Sequence, residues 1–203
     1  MGTIPVHYRS RWATLARVVP LLDPKTGLLP LGRHVCTVGE VEIAFVKDIS
    51  FFGSATRAAI WNDWNDALAT LQSAVTVHAA WIGGSFTTSK LDPEDIDVTF
   101  IINGTDMRRR SPPEQRIIAL FDGRHQVEAV LGLKVDSYVI PWECLPQPGP
   151  GLSYVQDHYL WVRGYWDDWW QRARQTPKGS PPLPEDALPR RGCLEVLVSD
   201  YIC

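Results

Sequence analysis

The sequence predicts an α+β domain in which helices flank a mixed β-sheet. Apolar, β-prone runs of strand length alternate with segments whose apolar residues recur every three or four positions. Their order is helix, strand, strand, helix, strand, helix, strand, without internal repeats, which suits helices packed on a mixed sheet in one domain. Hydrophobic residues make up 45% and charged residues 21% of 203 positions, an ordinary globular balance in a chain long enough to bury a sizeable core.

Residues 1–36 are rich in Pro and Gly and read as an irregular N-terminal arm, with one turn of helix near Trp12 to Val19, ahead of a domain over 37–203. Thr37-Val38-Gly39-Glu40 has capping-box spacing, in which hydroxyl and carboxylate satisfy free amides at a helix start, so a short helix is expected over about 38–46. Ser54 is placed to cap a longer helix, whose Trp61, Trp64, Leu68, Leu71 and Val75 form one apolar stripe for packing on the sheet. TVHAAWI (76–82) and IDVTFII (96–102) read as strands, the second closed by the Asn103-Gly104 turn signal. EQRIIALFD and RHQVEAVLG are helix candidates, and LKVDSYVIPW from Leu133 gives a third strand stopped at Pro141. A Pro/Gly loop leads to an aromatic helix over 153–174. After a second Pro-rich loop, GCLEVLV (192–198) supplies the last strand.

The formal charge of −3 argues against a generally basic nucleic-acid binder. Arg108-Arg109-Arg110 beside Pro112-Pro113 reads as a solvated loop, with RNA contact as the sharper alternative. Four scattered cysteines form no Cys-x-x-Cys pair and no zinc-ligand spacing. The start, MGTIPVHYRSRW, lacks the apolar core of a secretion signal, and no apolar run approaches the roughly 18 residues of a membrane span. A reduced, cytoplasmic protein without membrane partners is expected. Of nine tryptophans, Trp161, Trp166, Trp169 and Trp170 cluster late, either as the apolar seal of a helix or as a base-stacking wall. His78, in an apolar strand, reads as a hydrogen-bonded core histidine.

The stretch WIGGSFTTSKLDPEDIDVTFII (81–102) stands apart. It admits a nucleotide-and-metal site, a Gly-rich dinucleotide loop, or an acidic turn without chemistry. The dinucleotide reading fails on the glycine pattern, because Ser85-Phe86-Thr87-Thr88 follows Gly83-Gly84. Alternation along a strand puts Asp95 and Asp97 on one face, where paired carboxylates repel unless a cation such as Mg²⁺ joins them. Glycines let backbone approach a phosphate, and amides with a Ser hydroxyl donate to its oxygens, so Gly83, Gly84 and Ser85 form a phosphate turn. Asp136, among apolar β-prone neighbours, is expected on a central strand as a third acid that completes a two-metal site or takes a proton as general base. Lys90 and Lys134 are candidates to neutralise the triphosphate, with a solvated Lys90 and a Lys134–Asp136 pair as the alternatives. Asp92-Pro93-Glu94 reads as an acidic turn.

A strand, Gly-Gly-Ser, nine residues and then Asp-Ile-Asp-Val resembles the signature of the DNA polymerase beta-like nucleotidyltransferase superfamily. The wider stretch from LLPLGRHVCTVGEVEIAF through GGSFTTSKLDPEDIDV resembles small prokaryotic nucleotidyltransferase-like proteins, related to minimal nucleotidyltransferases and to toxins of toxin–antitoxin and phage-defence systems. WDDWWQRARQTPKG with GCLEVLV resembles their closing helix and strand. The resemblance implies a polymerase beta-like fold, two Mg²⁺ ions on Asp95, Asp97 and Asp136, and an NTP held at Gly84 and Ser85. An NMP would pass to a hydroxyl on a protein, an RNA (tRNA among them) or a small molecule. A toxin role with a cognate antitoxin is the narrower expectation. The alternative is a catalytically inactive module of the same fold that binds nucleotide or a partner. An oligonucleotide or cyclic-nucleotide synthase is disfavoured by the short chain.

Overall fold

The computed structural model of the chain describes residues 19–177 and 179–202, so the turn of helix expected near Trp12 falls outside the described residues save for Val19. The first regular element is a strand, β1 (Gly32–Thr37), inside the segment expected to be irregular. Its only buried residue is Cys36, so no apolar periodicity announces it. Thr37 ends β1 and opens helix α1 (Val38–Phe45). There the capping box forms as read: the Thr37 hydroxyl accepts from the Glu40 amide, and the Glu40 carboxylate accepts from the Thr37 amide at 2.7 Å.

The longer helix is α2 (Arg57–Gln72). Ser54 does serve its start, accepting the Arg57 amide at 3.1 Å. The buried stripe holds Trp61, Trp64, Leu68 and Leu71, as the spacing predicts, and continues N-terminally through Arg57. Trp61 and Trp64 stack with centroids 4.6 Å apart and planes 7° from parallel, a pairing that adds about 0.5–1.5 kcal/mol beyond burial.

Strand β2 (Val77–Gly83) is buried along its whole length and pairs antiparallel with β3 (Ile96–Asn103). Asn103-Gly104 does not make a hairpin. Asn103 instead caps the short helix α3 (Gly104–Met107), accepting the Asp106 amide at 2.8 Å. The physical reason is topological: the next strand, β4 (Val135–Trp142), lies parallel to β3 and needs a long crossover. Helices α4 (Pro112–Leu120) and α5 (Gln126–Leu131) supply the rest of it. Helix α6 (Tyr154–Trp170) and strand β5 (Gly192–Leu197) complete the chain of elements.

The five strands run in the order β1-β5-β2-β3-β4. The last strand inserts between β1, which it meets parallel, and β2, which it meets antiparallel. Asp136 therefore lies on an edge strand, not on the central one expected for it. The same edge position lets β4 run through Pro141, whose missing N–H would break an interior ladder. One core gathers α1, α2 and the sheet face of Val98 and Phe100; a second gathers α6 on the face of Trp81 and Ile101. Cys36 and Cys193 are free and buried. Cys144 is disulfide-bonded, which departs from the fully reduced reading. Among the described residues no helix is long and apolar enough to cross a membrane.

Candidate active site

Asp95 immediately precedes β3, and Asp97 is its second residue. In the ladder Asp97 stands level with Gly83 of β2 on one side and with Asp136 of β4 on the other. Paired residues in register share a face, so the sheet brings the two carboxylates together across adjacent strands. It is the α6 face, as the Trp170 indole N–H shows by donating to Thr99 Oγ1, two residues along β3, at 2.9 Å. Burial, with the charges of Asp95 and Asp136, pushes the Asp97 carboxyl up to about 6, against the pull of Arg191 and His125.

The two glycines of the turn are needed for different reasons. A Cβ on Gly83 would come within 2.5 Å of the Trp170 ring, which seals the strand end. Gly84 adopts φ +62°, and a Cβ there would fall 1.5 Å from Asp97 Oδ2. Only a residue without a side chain lets the turn and the carboxylate occupy adjacent space. The half-buried Ser85 then opens a 3₁₀ turn, Ser85–Thr87. Phe86 anchors this turn in the α2-side core, with its ring 6.1 Å from that of Trp61. The Thr87 hydroxyl donates to the Gly84 carbonyl at 3.3 Å and accepts from Arg191.

Arg191, the Arg124–His125 pair and Arg57 escape the sequence reading. Arg191, just ahead of β5, is buried and faces Asp97 electrostatically. His125 holds φ +56°, a left-handed backbone unusual for a side-chain-bearing residue, and its amide donates to Asp136 Oδ1 at 2.8 Å. The His125 Nδ1 and the Arg124 Nε both lie 4.0 Å from Asp136 Oδ2. Arg57 is the third. Its guanidinium donates to five backbone carbonyls, those of Phe45, Phe86, Thr88, Lys90 and Leu91. It lies 3.7 Å over the Phe51 ring, and burial lowers its pKa to about 10, still cationic at neutral pH. Four of the five carbonyls belong to the segment joining the glycine turn to the acid strand. The signal for Arg57 was in the sequence, since it sits in step with Trp61 and Trp64 on the apolar stripe. Arg191 and His125 have no comparable mark.

The remaining candidates are placed as follows. Lys90 and Lys134 both reach outward to glutamates, Glu94 and Glu128 respectively. The Lys134 ammonium still feels Asp95, but it does not pair with Asp136. Asp92 is a structural acid, accepting from the Ala55 amide at 2.7 Å and the Ser54 hydroxyl at 3.0 Å. His78 is a core histidine bonded through Nδ1 to the Asp200 carbonyl. In the Arg triplet, Arg108 pairs with Glu143 and Arg110 with Asp106 and Glu114. The late tryptophans divide: Trp166 and Trp170 are buried, whereas Trp161 and Trp169 are exposed.

Among the described residues no three His, Cys, Asp or Glu side chains form a ready-made metal-holding group. The donor chemistry nevertheless suits a hard cation. Burial and the neighbouring charges of Asp95 and Asp136 raise the proton affinity of Asp97, and an added positive charge relieves that repulsion.

The sheet and its carboxylates define a class: an α+β protein with a mixed five-stranded sheet, helices on both faces, and carboxylates set against a Gly-Gly-Ser turn. Residues 20–183 match the family of unknown function DUF6932, and the chain belongs to that family. The match contains the turn and all three acids but ends before Arg191 and β5. No curated protein and no solved structure matches the chain.

Proposed function

We propose that this chain is a Mg²⁺-dependent nucleotidyltransferase of the polymerase beta-like kind, moving an NMP from an NTP to a hydroxyl with release of pyrophosphate. The observation that carries the reading is the close approach of Gly84 to Asp97 beside Asp136, a glycine turn pressed onto a carboxylate whose proton affinity its neighbours raise. Asp95, Asp97 and Asp136 would hold two magnesium ions. When bound, these would neutralise triphosphate charge and favour ionisation of the attacking hydroxyl. The amides and hydroxyl of Gly83, Gly84 and Ser85 would receive phosphate oxygens, held in place by the Arg191–Thr87–Gly84 chain of hydrogen bonds. Asp136 has Oδ1 fixed by the His125 amide, which leaves Oδ2 as the oxygen suited to take the acceptor's proton. The acceptor is a protein, an RNA such as tRNA, or a small molecule, and a toxin with a cognate antitoxin is the narrower form of the proposal.

Incubation of the purified chain with labelled NTPs, Mg²⁺ and cell extract tests it. Label should enter an acceptor, and Asp95→Ala/Asp97→Ala should reduce incorporation by ~100-fold or more, the size of effect that loss of a preorganised charge-stabilising group has in enzyme active sites. Equal labelling by both forms would end the reading. For the toxin form, induced expression should arrest growth and the double-alanine chain should not.

A further inference from the structure

The outer edge of β4 is covered by the loop between α4 and α5, which is fastened there by hydrogen bonds along its length. The Ser137 hydroxyl donates to the Phe121 carbonyl at 3.0 Å, and the Val139 amide to Asp122 Oδ1 at 3.2 Å. The Gly123 amide donates to the Ser137 carbonyl at 3.2 Å, and the His125 amide to Asp136 Oδ1 at 2.8 Å. Such a loop satisfies a strand edge that would otherwise invite pairing. The side chains of Arg124 and His125 take no part in this. They stand 69% and 52% exposed, and Arg124 Nε and His125 Nδ1 each stop 4.0 Å from Asp136 Oδ2, beyond hydrogen-bond length. Other cations at this end of the sheet are engaged: Lys134 with Glu128, Lys90 with Glu94, and Arg191 with Thr87. Covering the edge needs the loop backbone and Asp122. It does not need two exposed cations over a carboxylate.

We infer, resting on the nucleotidyl-transfer reading, that Arg124 and His125 bind a phosphate of the acceptor, so that the acceptor is a sugar hydroxyl with a phosphate on the same sugar. Across this end of the sheet the groups follow strand order: the glycine turn after β2, Asp97 on β3, Asp136 on β4, and then the loop with the two cations. In-line displacement sets the attacking oxygen and the leaving pyrophosphate on opposite sides of the phosphorus. With the triphosphate on the turn, pyrophosphate departs on the β2 side and the hydroxyl arrives on the β4 side, against Asp136 Oδ2. The hydroxyl gives its proton to Oδ2 and its oxygen bonds the α-phosphorus. The bond from that phosphorus to the bridging oxygen breaks, and its electron pair leaves with pyrophosphate. A hydroxyl about 2.6–3.2 Å from Oδ2 sets a phosphate one sugar ring away within reach of both cations. The guanidinium fork matches phosphate oxygens in pairs. Glu128, whose charge His125 feels, is paired with Lys134, so this flank stays cationic. A protein hydroxyl brings no phosphate at a fixed distance and leaves the two cations unanswered.

Equilibrium binding to the full chain, in Mg²⁺ and a non-hydrolysable ATP analogue, tests this apart from transfer. The probes are a labelled oligouridylate with a free 3′ hydroxyl, labelled uridine 5′-phosphate, and uridine. At least one phosphate-bearing probe should bind, and uridine should not. Tight binding of the strand alone assigns the phosphate to a strand end, and equal binding of uridine 5′-phosphate assigns it to a phosphorylated small molecule. Arg124→Glu should weaken the bound probe by about tenfold or more and leave affinity for the ATP analogue unchanged. For the strand, Arg124→Ala should lower the slope of log affinity on log salt by about 0.7, the share of one phosphate, and Arg124→Lys should keep the wild-type slope. A wild type that binds neither phosphate-bearing probe overturns the inference, as does a probe held equally by wild type and Arg124→Glu. A matching loss of the ATP analogue would put the two cations on the triphosphate and also overturns it. Label incorporation that is lost in Asp95→Ala/Asp97→Ala but indifferent to Arg124→Glu leaves the transfer reading standing and removes this one.

Discussion

Arg57 and Arg191 are both buried, both touch the segment between the glycine turn and the acid strand, and they differ in what surrounds them. Arg57, on the α2 side, gives its hydrogen bonds to five backbone carbonyls and packs on aromatic rings, and the one carboxylate it feels among the described residues, Asp92, is itself held by Ser54 and Ala55. Arg191 spends donors on Thr87 Oγ1 and on the Gly192 carbonyl, and balances the charge of Asp97. A guanidinium saturated by carbonyls is a strut, whereas one that answers a carboxylate and a turn hydroxyl sets the electrostatics of a site. Two residues of one type thus divide the work of shaping the turn and charging it.

The comparison is broken most severely at Arg57. Arg57→Met should cost about 4 kcal/mol in urea unfolding, because five carbonyls lose their partner inside the protein. A loss below about 1 kcal/mol would mean that Arg57 is no strut.

Asp97 gives the next effect, and its sign follows from the direction of its shift. Its carboxyl ordinarily titrates near 3.8 and in the folded chain at about 6, so folding favours the protonated form. That contribution is present below about pH 4 and is lost as pH rises through about 6. Discounted for partial exposure, the ionised group costs about 1–2 kcal/mol at neutral pH. In chelator, Asp97→Asn should therefore be the more stable chain at pH 7 by that amount and equal to wild type near pH 4. Thermal melts across this range check it, and Mg²⁺ should raise the midpoint of the wild type alone.

Arg191→Met should cost about 1–2 kcal/mol, since removing one partner alone leaves the Asp97 carboxylate without its buried counter-charge and Thr87 Oγ1 without its donor. Combined with Asp97→Asn, its cost should shrink. A double-mutant cycle without coupling would show that the two charges do not see one another. The smallest effect belongs to Lys90→Ala and Lys134→Ala. Their ammoniums meet solvent-exposed glutamates, and the melting midpoint should not move measurably.

Much of the fold was legible in the order of residues. The capping box at Thr37, the α2 stripe and the strand runs at 77–83 and 96–103 are local patterns, set by amide satisfaction and by side-chain period. Strand β1 was not legible, because GRHVCT has little apolar pattern and acquires its partner from β5, at the far end of the chain. The Asn103-Gly104 pair misled for a related reason: a local turn signal yields to a helix cap when the next strand runs parallel.

The candidate site divides along the same line. Gly84, Asp95 and Asp97 could be read from spacing, because turn chemistry and strand alternation are local. That Asp136 stands level with Asp97, on an edge strand rather than a central one, was decided by the crossover through α3 to α5. Arg191 reached the turn because β5 inserts beside β2, a pairing no local pattern encodes. The sequence alone determined the turn, the paired acids and the helices that carry the aromatic residues. Tertiary structure decided which charges meet and which rings remain outside, since strand order and register, unlike period and capping, are settled by contacts between residues far apart in the chain.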